Sequence, residues 1–155
     1  MDYIRAVKVF SASASHVRDL FWNIEEWKRI WAPIRRVVVH YDDQQLQEFE
    51  MELSWQDSVI CIRTVRIKER NGDIVFFSPS PPGDLSYHAG CWRFADVSKK
   101  TCEVVAERWF MLRRLKQETI QNYLHRKQGY QETFQTRVQK ILQEMDLFCE
   151  NAHGK

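Results

Sequence analysis

The chain has 155 residues, 28% of them charged and 13% aromatic, with 23 Lys and Arg against 21 Asp and Glu for a formal net charge of +2. A length in this range buries roughly 70% of the surface that the unfolded chain exposes, enough for one domain over 1–155 with a sizeable core. So even a charge balance gives no electrostatic ground for binding nucleic acid or an anionic membrane, and function is expected in a site.

The amino-terminal MDYIRAVKVF alternates like a strand and lacks the basic, apolar and small-residue regions of a secretory leader. No stretch approaches the roughly 20 apolar residues that span a bilayer, so a cytoplasmic protein without a membrane partner is expected. The strand ends at SASAS, where Ser13 or Ser15 can cap a helix. Val17, Leu20, Phe21, Ile24, Trp27 and then Ile30 or Trp31 follow at three- and four-residue spacing. They predict a helix over about 15–31, open to a break near its middle, which Pro33 stops.

Beyond Pro33 the period changes to two. IRRVVVHY is followed by LQEFEMELSW, with Phe49, Met51, Leu53 and Trp55 on one face and Glu48, Glu50 and Glu52 on the other. SVICIRTVRIK comes next and places Thr64 and Arg66 in line with Ile60 and Ile62. Asn71-Gly72-Asp73 suits a tight turn, and IVFFS, SYHAGCWRFADV and TCEVVAERWFML complete six consecutive strands, an antiparallel meander. The Pro-dense SPSPPGD at 78–84 is too short to be an interdomain linker.

From about Lys116 to Cys149, the residues Tyr130, Phe134, Val138, Ile141, Met145 and Phe148 recur with helical period and form a long amphipathic helix that needs a broad apolar partner. Gly129 interrupts it at a cost of about 1 kcal/mol relative to alanine, for a kink, for access by a ligand, or for room beside an aromatic. The order of elements predicts an α+β domain whose curved antiparallel sheet grips the last helix and leaves an internal cavity. Cys61, Cys91, Cys102 and Cys149 stand far apart without paired histidines. They are expected to be buried, reduced thiols, neither a metal site nor a disulfide framework.

The element order, the N-I-E-E-W sequence ending at Trp27 and the strand sequence I-R-T-V-R at 62–66 resemble the single-domain aromatase/cyclases of bacterial aromatic polyketide synthesis. Those enzymes have the helix-grip, START-like or Bet v 1-like fold. Their cavity motif W-x-S-x-R corresponds here to Ile62, Thr64 and Arg66, and their helix tryptophan to Trp27. The resemblance implies that Arg66 holds a polyketide oxygen and stabilises a developing enolate, with the Thr64 hydroxyl beside it. It implies that Trp27 walls the cavity. Two of the family's contacts are absent, because Ile62 replaces the motif's tryptophan and Ile34 falls near an expected aromatic hydroxyl.

Ile60, Trp92 and Tyr123 are further candidates for substrate contact, and Tyr87, His88 and Arg93 are also candidate cavity residues. Strand parity separates Tyr87 and Arg93 from His88 and Trp92, and the bulkier apolar face favours the latter pair. An imidazole near neutrality suits His88 to the two proton transfers of an aldol cyclisation and dehydration. The 78–84 loop before it would sit at the cavity mouth.

The function that follows is an aromatase/cyclase for a poly-β-ketone carried on an acyl carrier protein, needing neither metal nor redox cofactor. A homodimer is left open. A noncatalytic carrier of a lipid, quinone or polyketide product fits the same cavity, since fold does not dictate chemistry. A protein-interaction module is the third class. Arg66 and Thr64 on the inward phase weigh against both.

Overall fold

The computed structural model describes residues 1–153. Seven antiparallel strands form one sheet: β1 (Asp2–Phe10), β2 (Ile34–Asp42), β3 (Leu46–Trp55), β4 (Ser58–Lys68), β5 (Ile74–Ser80), β6 (Leu85–Ser98) and β7 (Thr101–Leu112). Their order is β1-β7-β6-β5-β4-β3-β2, so the six-strand meander runs unbroken and β1 adds beside its last strand. The alternation read in β3 is the observed one. Phe49, Met51 and Leu53 are buried, while Glu48, Glu50 and Glu52 face outward toward Arg63, His40 and Arg36.

The predicted first helix is three pieces: α1 (Ala14–Trp22), a 3-10 turn (Ile24–Glu26) and α2 (Trp27–Ile30). Ser13 caps α1 by accepting the His16 N–H. Asn23, with ψ at 82°, leaves the helical region and ends it. The Trp27 indole N–H then donates to the Phe21 carbonyl at 3.2 Å, one of the acceptors that a helix terminus leaves without a partner.

The closing helix α3 spans Ile120–His153 and starts later than the expected 116. Gln117 is left-handed at φ 61°, and the Thr119 hydroxyl accepts the Asn122 N–H at 3.1 Å as an amino-terminal cap. The helix runs straight through Gly129 without interruption. Nothing lies within 4 Å of the position a Cβ would take there, so a crowded aromatic does not account for this glycine.

Three glutamines tie α3 to the edge strand. Gln131, Gln135 and Gln139 donate side-chain N–H groups to the carbonyls of Tyr3, Arg5 and Val7, at 3.2, 2.7 and 3.3 Å. The match is geometric, because four helical residues rise about 6.0 Å and two strand residues about 6.6 Å. The ladder satisfies acceptors that an edge strand would otherwise expose, and it holds the helix along β1. The concave face over β3–β6 is therefore only partly covered by α3, and that partial cover makes the cavity.

The cysteines are all free, and Cys91, Cys102 and Cys149 are buried as expected. Cys61 is exposed and corrects the expectation of four buried thiols. Its position in β4 alternates with Ile60 and Ile62, which sends it to the opposite face.

Candidate functional site

A cavity of about 120 Å³ lies between the concave face and the helices. Its walls are aromatic and aliphatic: Trp27 from α2, Phe49 from β3, Ile62 from β4, Phe76 from β5, Trp92 from β6 and Phe134 from α3. Thr64, Arg66, His88, Arg108 and Arg137 are its polar members, and among the described residues no carboxylate lines it. A second cavity of about 350 Å³ lies between the α2–β2 connection, Trp55 and α3, and shares Trp31, Leu53 and Arg137 with the first.

Arg66 points inward, as its parity requires, and is 2% exposed. Most of its fork is engaged by the protein itself. Nη1 donates to the Phe21 carbonyl at 2.8 Å, Nη2 to the Trp22 carbonyl at 2.6 Å, and Nε to Gln47 Oε1 at 2.8 Å. Gln47 in turn donates to the Trp22 carbonyl and to Asp42 Oδ2, both at 3.0 Å. A cation at the carboxyl end of α1 complements the helix dipole, and its planar group also lies 5.1 Å from the Trp22 ring and 5.2 Å from Phe49. Burial lowers its pKa to about 9, and the Asp42 charge opposes that shift, so it stays charged at neutral pH. Its fork clamps α1 to β3 and β4.

Arg108 on β7 is the inward cation that the sequence reading did not single out. It is 4% exposed, between the rings of Trp92 at 4.1 Å and Phe76 at 4.6 Å. Among the described residues only Nη1 is hydrogen-bonded, to the carbonyls of Glu107 at 2.8 Å and Cys91 at 3.4 Å. Burial lowers its pKa to about 9. The signal was present, since Arg108 alternates with Val104, Ala106, Phe110 and Leu112, all buried.

Gly90 is what gives Arg108 its place. It stands opposite Arg108 on β6 and beside Phe76 on β5. A Cβ there would meet the Glu107 carbonyl oxygen at 2.3 Å, Phe76 Cζ at 2.8 Å and Arg108 Cδ at 2.9 Å. Gly90→Ala is expected to destabilise the protein by about 1–3 kcal/mol, because backbone as well as side chain must move. Urea unfolding checks this, and an unchanged midpoint would show that the guanidinium needs no such gap.

His88 is half-buried between Phe76 and Phe134, with ring centroids 5.2 and 5.5 Å away. Its Nδ1 is 3.3 Å from the Ser78 hydroxyl, and Nε2 is buried without a partner among the described residues. Burial, followed by the charges of Arg108 and Arg137, lowers its pKa to about 3, so the ring is neutral at physiological pH. Arg137 on α3 stacks 3.3 Å over the Trp55 ring, and its Nε is likewise a buried polar atom without a partner among those residues.

Trp27, Ile62, Thr64, Arg66, His88 and Trp92 thus all line one cavity. Ile60 does not, because it lies toward the turn of the β3–β4 hairpin, two residues before Ile62. Tyr123 is also outside the cavity. Its hydroxyl donates to the Leu112 carbonyl at 3.2 Å, and its ring packs near Arg114 and Arg126, which fixes the start of α3. Tyr87 packs on Phe77 and Arg93 pairs with Glu107 at 3.0 Å, both outside the cavity, as their strand phase requires. The expected 78–84 loop is shorter, since Ser78–Ser80 continue β5, and Pro82 brings the remaining 81–84 connection to the cavity wall.

A curved antiparallel sheet gripping a long carboxyl-terminal helix over an internal cavity is the helix-grip, START-like or Bet v 1-like fold, and this chain has it. Solved structures agree. TTHA0849 from Thermus thermophilus superposes with a TM-score of 0.81 at 20% identity, over 97% of this chain and 99% of that one. The Zhui aromatase/cyclase from Streptomyces sp. R1128 gives 0.78 at 11% identity, over 93% and 91%. A START superfamily protein from Mycobacterium smegmatis gives 0.65 at 9% identity, over 90% and 98%. No protein-family model matches the chain, and no curated protein matches it by sequence. No helix among the described residues is long and apolar enough to cross a membrane.

Proposed function

We propose that the protein is a cytoplasmic aromatase/cyclase that receives a poly-β-ketone from an acyl carrier protein and directs its aldol cyclisation and dehydration. The observation that carries this reading is His88 Nε2, a buried polar atom without a partner among the described residues, in a largely apolar cavity that Thr64 also lines. In the tautomer whose Nδ1–H donates to Ser78, Nε2 holds a free lone pair. It takes the proton alpha to a carbonyl as the new carbon–carbon bond forms. The low pKa makes the resulting imidazolium a strong acid, which returns that proton to the aldolate oxygen; in the dehydration a second alpha proton passes through Nε2 to the hydroxyl as it leaves as water. Trp27, Ile62 and Trp92 shape the chain, and Arg66 serves this site by holding the end of α1, from which the chain runs on to the cavity residues Ile24 and Trp27. The structural likeness to the Zhui aromatase/cyclase supports the reading at the level of fold.

A noncatalytic carrier of a hydrophobic molecule is the second reading. It is favoured by the small inner cavity, about 120 Å³, and by a histidine that is a weak base. A synthase reconstituted from ketosynthase and carrier protein separates the two. The proposal expects the added protein to shift the products toward one cyclised aromatic compound, and His88→Gln to abolish the shift without loss of fold. Polyketide binding with an unchanged product spectrum would establish the carrier instead.

A further inference from the structure

The same cavity carries an imbalance of charge. Arg66 has three hydrogen-bonded partners and Asp42 nearby, but Arg108 has only two backbone carbonyls and two aromatic faces. Arg137 adds a second guanidinium at the cavity wall, and none of the lining side chains is acidic. Taking a cation out of water costs several kcal/mol, and ring faces return only about 2 kcal/mol or somewhat more. An aromatic-walled chamber with two under-compensated guanidinium groups and two buried polar atoms without partners, Arg137 Nε and His88 Nε2, is complementary to an anion on an apolar body.

We propose that Arg108 and Arg137 form an anion-recognition site, and that the ligand is an aromatic-sized apolar molecule carrying one planar, delocalised oxyanion. Guanidinium forks match the two coplanar oxygens of such a group. The inner chamber has about 120 Å³, somewhat less than the about 150 Å³ of a cavity that takes up benzene, so a fused aromatic body must extend beyond it. It would extend past Arg137 into the outer chamber of about 350 Å³, which Arg137 also borders and which Lys140 and Glu144 line as well. The inference deepens the proposed function, on whose cavity it rests, by naming the charge state in which the ligand is held. The oxyanion has two chemical sources, a carboxylate or the enolate of a β-dicarbonyl.

Three probes share one naphthyl body: 2-naphthoate, neutral 2-acetylnaphthalene, and 1-(2-naphthyl)butane-1,3-dione, whose enolate absorbs in the ultraviolet. Quenching of the cavity tryptophans reports binding. The expected result is that at least one anion binds tenfold or more tighter than the neutral ketone. Arg108→Gln and Arg137→Gln should each remove most of that preference, and Arg108→Lys should keep part of it. Thermal unfolding verifies that each variant is folded; should Arg108→Gln fail to fold, Arg137→Gln, on the half-buried face of α3, carries the test. Equal binding of ketone and anions, or full preference in the Arg137→Gln variant, overturns the site. Preference for 2-naphthoate with no binding of the diketone as enolate keeps the anion site and counts against the cyclase. Redirected synthase products with no anion preference would do the reverse.

Discussion

Arg66→Met is expected to destabilise the fold by about 3–5 kcal/mol, the range for removing one partner from a buried charged network. In a chain of this size that corresponds to a fall in melting temperature on the order of 10 °C. The cause is the set of acceptors left behind. Gln47 Oε1 loses its donor, the carbonyls of Phe21 and Trp22 each lose a charged one, and Asp42 loses its nearby cation. Each hydrogen bond to a charged group contributes about 1.5–3 kcal/mol, so the three together reach about 4.5–9 kcal/mol, and relaxation of the freed acceptors brings the loss down toward the 3–5 kcal/mol range. Arg66→Lys keeps the charge but cannot bridge two carbonyls and an amide with one planar fork, so an intermediate loss is expected. Denaturant unfolding measures both. If Arg66→Met melts like the wild type, the clamp on α1 contributes nothing and the residue is free to serve a ligand.

Acidification is expected to cost the folded protein stability through His88, and the sign follows from the direction of its pKa. Burial first, then Arg108 and Arg137, hold the folded value at about 3, against 6.5 for the ordinary group. Above pH 6.5 the ring is neutral in both states and makes no difference. Between 6.5 and 3 the unfolded chain binds a proton that the folded chain refuses, so stability falls by up to about 1.4 kcal/mol for each pH unit. Below about 3 both states are protonated and the slope ends. The groups facing the ring are Ser78 on β5, Arg108 on β7 and Arg137 on α3, and no acid among them offsets the effect. His88→Gln should remove this contribution, so that the wild type loses about 3 kcal/mol more than the variant between pH 7 and pH 4. Parallel pH profiles for the two proteins would refute the assignment.

These effects define how far the chain could be read before its structure was known. Periodicity is a property of neighbouring residues, so the strand faces, the amphipathic α3 and the break near the middle of the first helix were legible from local spacing. So was the inward phase of Ile62, Thr64 and Arg66, and the parity argument that chose His88 and Trp92 over Tyr87 and Arg93. Parity could also have found Arg108, which lies on the same buried phase as its apolar neighbours. The resemblance drew the reading to Arg66 instead.

The roles of the arginines were beyond local reading. Whether a buried guanidinium is a structural clamp or an unfilled recognition group depends on which acceptors the fold brings to it, and those come from distant segments. Phe21, Trp22 and Gln47 reach Arg66 across sequence separations of 45, 44 and 19 residues. Arg108 receives from a distant segment only the Cys91 carbonyl, at 3.4 Å, among the described residues. The strand register that sets Gly90 opposite Arg108, and the glutamine ladder that holds α3 along β1 and leaves the cavity open, are likewise set by pairing between elements. The sequence by itself determined which side chains face inward, because that follows from the two- and 3.6-residue periods of the backbone. The tertiary structure alone decided which of those inward charges are already satisfied, because hydrogen-bond partners are allotted by distance in space.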